Sequence, residues 1–176
     1  TRHYAATVDK LMQSIGSRDD EIVFGLCVFV NRGRTIVIAD TNVIEYPTSE
    51  ELASIAKSSA RVAKLLGLDP KIAFLSHSTF GQPETDRTKR ISKAVEMLKD
   101  EKVDFLFDGE MQPDVALNNK YKGTYSFSNI VGSANVLVMP SIHAAAISIK
   151  MLKELSRGKV FGLSLIHISE PTRPNN

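Results

Sequence analysis

From Thr48 onward, apolar and polar positions alternate with the period of a helix. Leu52, Ile55, Ala56, Val62, Ala63 and Leu66, with Ser59 on the same stripe, fall three or four residues apart and define one face. Thr48 and Glu51 form a capping box at the start of that stripe, and Gly67 supplies a stop at its end. Ile91, Ala94, Val95 and Leu98 predict a second helix. Ile142, Ala145, Ala146, Ile149 and Leu152 predict a third, capped by Ser141 and followed by Gly158. A short helix is expected around Val115 to Leu117, and residues 5–15 form a helical candidate through Val8, Leu11, Met12 and Ile15.

Shorter apolar runs separate these helices. Ile22 to Val30 and Thr35 to Ala39 are rich in β-formers and are joined by Asn31-Arg32-Gly33-Arg34, which reads as an antiparallel hairpin. Ile72 to Leu75, Val103 to Phe107 and Val136 to Met139 are three further runs, each expected to be a buried strand. Strands alternating with helices predict βαβ units. The expected fold is α/β, three layers in αβα order, with a mostly parallel sheet and the antiparallel hairpin at one edge. Internal repeats and low-complexity linkers are absent.

Composition narrows the function classes. The 176 residues are 43% hydrophobic and 24% charged, which is ordinary for a globular domain with its own core. The formal net charge of +2 comes from scattered basic residues, so no nucleic-acid surface is expected. No apolar stretch approaches the roughly 20 residues that span a bilayer. The single cysteine, Cys27, excludes an intramolecular disulfide, favours a reducing compartment and reads as a core residue inside an apolar run. The chain opens on Thr1 rather than Met and is expected to be part of something longer.

In an open parallel sheet, ligands bind beyond the carboxyl ends of the strands. Three such ends carry polar chemistry. Ser76-His77-Ser78-Thr79-Phe80-Gly81 offers hydroxyls and backbone donors that could hold an anion, or that simply cap the next helix. Asp108-Gly109-Glu110-Met111-Gln112-Pro113-Asp114 holds three carboxylates, suited to acid/base work or a metal, or to fixing turns and capping the short helix. His143, on the first turn of its helix, is a surface or core residue or a catalytic one. G-x-G-x-x-G, Walker, H-E-x-x-H and G-x-S-x-G motifs are absent, as are Cys/His metal clusters.

Leu75 to Gly81, Asp108 to Leu117 and Ala134 to Pro140 resemble three sequential motifs of the phosphate acetyl/butyryl transferases, within a resemblance covering residues 1–162. Ile38-Ala39-Asp40-Thr41 and Asp108-Gly109-Glu110-Met111 look more like the domain fused behind NADP-dependent malic enzymes than like free phosphotransacetylases. The resemblance implies an acyl-CoA site whose rim holds Ser76, Ser78, Thr79, Gly81, Asp108 and Glu110. It implies acetyl-CoA as the ligand, a cytoplasmic homo-oligomer, and no metal or cofactor bound by this segment. NADP and Mg or Mn would act in an N-terminal part that converts malate to pyruvate. The alternatives are a true phosphate acetyltransferase and a ligand-free dimerisation module. Residues 1–18 would end a first subdomain and 19–162 would make most of a second.

Two departures from the family pattern bear on activity. Free phosphotransacetylases carry a segment similar to Ser-Thr-Ala-Asp-Thr-Val-Arg-Pro, and here His3, Tyr4 and Asp9 replace its two hydroxyls and its Arg. An Arg grips phosphate through two parallel bonds, whereas an Asp repels it. The family's catalytic Asn-Asp-Leu-Ser-Arg segment is expected beyond the end of this chain, so no catalytic residue is assigned. Leu163 to Asn176 breaks the strand pattern and resembles translated sequencing-adapter sequence. It is expected to lie outside the folded domain, with partial strand order reaching about Ile168 and none beyond Glu170.

Overall fold

A computed structural model describes residues 21–39, 44–121, 123–156 and 158–169. The helical candidate at 5–15, the subdomain end at 1–18, Asp9 and the segment after Ser169 lie outside these residues. Six strands, β1 (Glu21–Asn31), β2 (Arg34–Ala39), β3 (Lys71–Leu75), β4 (Leu106–Met111), β5 (Val136–Val138) and β6 (Lys159–Ser169), form one sheet in the order β4-β3-β5-β2-β1-β6. The helices are α1 (Ser49–Leu65), α2 (Asp86–Asp100), α3 (Pro113–Leu117) and α4 (Ile142–Leu155), with a 3₁₀ turn at Asn119–Tyr121. None of the described helices is long and apolar enough to cross a membrane.

The strands β2, β5, β3 and β4 run parallel, while β1 pairs antiparallel with both β2 and β6. Arg32 and Gly33 both take positive φ, 48° and 78°, as a two-residue hairpin turn requires. Side chains alternate across the sheet and divide the interior in two. On one face Phe24, Leu26, Val37, Ile72, Phe74 and Val136 pack with Leu52 and Ile55 of α1 and Ile91 and Leu98 of α2. On the other, Cys27, Ile38, Ala73, Leu75 and Leu137 pack with Ala116 of α3 and Ala145 and Ile149 of α4. The three-layer α/β fold follows.

The local signals at the helix ends act as expected. Thr48 and Glu51 close both halves of a capping box, and Gly67 at φ +75° donates its N–H to Lys64 O. Ser141 Oγ accepts from Ala144 N at the start of α4.

Two elements differ from expectation. The strand expected at Val103 to Phe107 begins at Leu106 and runs to Met111. Val103 and Phe105 pack against the α1/α2 core from the turn before it, so their apolarity reflects burial rather than strand geometry. The antiparallel hairpin lies inside the sheet, because β6 adds outside β1 and forms the edge. The backbone of β6 continues past Gly162 to Ser169, with Leu165 opposite Gly25 and Ser169 opposite Glu21. This agrees, within one residue, with the partial strand order expected to about Ile168.

Candidate functional site

The chain leaves β3 toward α2 on one face of the sheet and leaves β5 toward α4 on the other. Neighbouring parallel strands whose exits diverge in this way open a crevice at their carboxyl ends. A cavity of about 340 Å³ occupies that crevice. Leu75, Ser76 and His77 line it after β3, Met139, Pro140 and Ser141 after β5, and Arg87 and Arg90 from α2. No carboxylate is among the described residues that line it.

Both arginines are held by the segment before α1. The Arg87 guanidinium lies 5.4 Å from the ring centroid of Tyr46. Arg90 Nη1 donates to Pro47 O at 3.3 Å, and Ser49 Oγ donates to Arg90 O at 2.9 Å. Two guanidiniums, with no carboxylate among the described lining residues, suit the cavity to an anion, with planar donors matched to phosphate or carboxylate oxygens. Sequence reasoning passed over both. Their spacing on the polar side of α2 resembles any solvated face, and the tertiary turn of the chain brings them to the crevice.

Beside the cavity, the segment 76–81 is stapled to the end of β4. Ser76 N donates to Met111 O at 3.0 Å and Phe80 N to Glu110 O at 2.8 Å. Gln112 N donates to Thr79 Oγ1 at 3.1 Å, and Gln112 Nε2 to His77 O at 2.8 Å. Glu110 is 1% exposed, which is costly for a carboxylate unless donors surround it. Its Oε1 accepts from Gly81 N at 2.6 Å and Ser78 Oγ at 3.1 Å, and its Oε2 from Ser92 Oγ at 2.9 Å. Ser92, on α2, is a partner that the sequence motifs did not point to.

The expected rim residues thus divide by role. Ser76 reaches the cavity, together with His77. Ser78 and Thr79 are buried and bonded within the protein, and Gly81 N is taken by Glu110. Asp108 and Glu110 lie inside β4 rather than in a loop beyond it. The Asp108 carboxylate accepts from Gly109 N at 2.9 Å and Asn129 N at 2.8 Å, which ties β4 to the loop before β5. Segment 76–81 does not cap a helix either, since α2 starts at Asp86 behind the cap Thr85. Asp114 lies in the first turn of α3, but the cap position there is Gln112, which makes no side-chain capping bond. His143 is exposed, 3.5 Å from Glu45 Oε1. Among the described residues no three His, Cys, Asp or Glu side chains are placed to share a metal.

The family model for phosphate acetyl/butaryl transferase matches residues 1–173. The chain belongs to this family. Among curated members, it is 44% identical over 170 residues to the NADP-dependent malic enzyme of Rhizobium meliloti, covering 97% of this chain and 22% of that protein. It is 36% identical over 129 residues to the phosphate acetyltransferase of Clostridium acetobutylicum, covering 72% of this chain and 39% of that one. The chain therefore spans well under half the length of these relatives. Among solved members, it superposes on a phosphotransacetylase from Streptococcus pyogenes with a TM-score of 0.78 and 28% identity, over 98% of this chain and 55% of that one. The EutD phosphotransacetylase from Staphylococcus aureus gives 0.77 and 26%, over 90% and 51%. A phosphate acetyl/butyryl transferase domain is thus related both to malic enzymes and to phosphate acetyltransferases, as the motifs at Ser76 and Asp108 imply.

Proposed function

We propose that this chain is the acetyl-CoA-sensing domain of an NADP-dependent malic enzyme, and that the crevice between β3 and β5 receives the anionic part of the acyl-CoA. The observation that carries the reading is the cavity flanked by Arg87 and Arg90, with no carboxylate among the described residues that line it. The higher identity to the malic enzyme, 44% against 36%, supports the parentage. Asp9, in place of the family's phosphate-gripping Arg, supports sensing over acetyl transfer.

In the whole enzyme, NADP and Mg or Mn would serve malate oxidation outside this chain. The described residues offer no cluster that fits the metal, and the sequence has no G-x-G-x-x-G loop for the dinucleotide, so no step is routed through either. The cytoplasm suits a chain whose single cysteine is buried. The exposed stripe of Ile147, Met151 and Leu155 on α4 supports self-association into a homo-oligomer.

Calorimetric titration of the chain with acetyl-CoA tests the reading. Saturable binding is expected, weakened about tenfold or more in Arg87→Ala and Arg90→Ala through loss of a charge-assisted contact. In the full-length enzyme the same variants should relieve inhibition of malate oxidation by acetyl-CoA. Absent binding together with unchanged inhibition would overturn it. A second reading, acetyl transfer between CoA and phosphate, is favoured by the similarity to phosphotransacetylases and is decided by assaying acetyl-CoA formation from acetyl phosphate.

A further inference from the structure

A serine hydroxyl accepts two hydrogen bonds but donates one. That count gives a direction to the buried chain ending on Glu110. The carboxylate has no ion-pair partner among the described residues, and all three of its side-chain contacts come from Ser78, Gly81 and Ser92. An ionised carboxylate accepts and never donates, and it draws a hydroxyl hydrogen more strongly than a neutral oxygen does. Ser78 therefore commits its single hydrogen to Glu110. Ser76 Oγ lies 3.2 Å from Ser78 Oγ, so this contact is made with the hydrogen of Ser76. What Ser76 has left are two lone pairs, one toward Ser78 N at 3.4 Å and one that His77 Nδ1, at 3.5 Å, meets until a ligand donor takes its place.

We propose that Glu110 is a positioning residue that makes Ser76 a pure hydrogen-bond acceptor at the cavity. The ligand group meeting Ser76 is then a donor, such as an amide N–H of a pantetheine-type arm, while phosphate oxygens go to Arg87 and Arg90. This assignment of the ligand rests on the acyl-CoA reading of the cavity. The direction of the hydroxyl chain does not.

Two measurements separate these layers. The first needs no ligand: the ¹⁵N shifts of the His77 ring. In the wild-type chain and in Glu110→Gln, whose amide oxygen can still accept from Gly81 and Ser78, the neutral imidazole should carry its hydrogen on Nδ1, facing the Ser76 lone pair. In Ser78→Ala, Ser76 is free to turn its hydrogen outward, and the population should move toward the Nε2-protonated form. One tautomer population shared by all three proteins would overturn the proposal, whatever the cavity binds.

The second is titration with desulfo-CoA and with inorganic phosphate, at temperatures where thermal melts show each variant folded. Desulfo-CoA affinity should fall about tenfold in Ser78→Ala and be kept within about twofold in Glu110→Gln, the scale of one hydrogen bond. Phosphate affinity should hold in both. Parallel loss of both ligands, or unchanged desulfo-CoA affinity in folded Ser78→Ala, would remove the positioning role. A wild-type chain that binds neither ligand while its tautomers shift as described would sink the acyl-CoA reading and leave the hydroxyl direction standing.

Discussion

Gly109 lies so close to Phe74 that a β-carbon on it would sit 2.7 Å from Phe74 Cβ and 2.9 Å from Phe74 O. The two residues are partners across β3 and β4, at the point where the register shifts between Phe74 and Leu75. Gly109 also holds φ +153°, which side chains resist. Gly109→Ala should therefore destabilise the chain by about 1–3 kcal/mol, as overpacked sites do. Urea unfolding measures this, and a change under about 0.5 kcal/mol would show that β3 and β4 can separate freely at this point.

Cys27 gives a pH prediction. Burial pushes its thiol up to about 12, against the opposing pull of Lys153. A raised thiol pKa means that the folded chain holds its proton where the unfolded chain has released it. The stability is present below pH 9 and is lost as the pH rises from about 9 toward 12, with a slope approaching about 1.4 kcal/mol per pH unit. Cys27→Ala should flatten that part of the profile relative to wild type. Native protein at pH 8 should also resist thiol-reactive dyes until denatured. Rapid labelling under native conditions would contradict the burial.

Truncation distinguishes two parts of the C-terminal stretch. Removing residues 170–176 should leave stability within about 0.5 kcal/mol, as for a surface change. Removing 163–176 deletes the ladder that pairs Ser164–Ser169 with Glu21–Leu26 and re-exposes one edge of β1. The melting temperature should fall clearly. Equal melting temperatures for the two truncations would mean that this ladder contributes nothing, as the sequence reading expected of the segment.

The purified chain should not form acetyl-CoA from acetyl phosphate and CoA. The reason is Asp9, whose charge opposes the phosphate that an Arg would hold. Turnover clearly above a no-enzyme control would show that the charge reversal is tolerated and would favour the transferase reading. Asp9→Arg then offers a second arm, expected to raise acetyl phosphate affinity.

Sequence periodicity carried the helices because their signals are local. The stripe from Leu52 to Leu66 and the Thr48 capping box are complete within 20 residues of chain and need no partner to be recognised. The β4 strand was misplaced because hydrophobic pattern reports burial. Val103 and Phe105 are partly buried without being strand, whereas Asp108 and Glu110 are strand residues made tolerable by donors from Asn129, Ser78, Gly81 and Ser92. Those donors are 18 to 32 residues away in the chain, beyond any spacing rule. The motif residues at Ser76 and Glu110 were visible, but which of them faces the cavity depends on where the hydrogen bonds go. Arg87 and Arg90 were invisible for the same reason.

The three residues of β5 also have a consequence in time. Val136–Val138 hydrogen-bonds to β2 on one side and β3 on the other, and no bond joins β2 to β3 directly. A chain growing from its N-terminus can close the hairpin at Arg32 and the β3-α2-β4 unit early, since both are local. The two halves of the sheet then wait for a short segment some 100 positions after β2. Such distant pairing slows folding, because the loop entropy is spent before the contact is made. The walls of the cavity come from opposite sides of that join, Ser76 from one and Pro140 from the other. A nascent chain that has not yet reached Pro140 therefore lacks one wall of the cavity, and closure of that crevice marks the moment at which the two half-sheets become one.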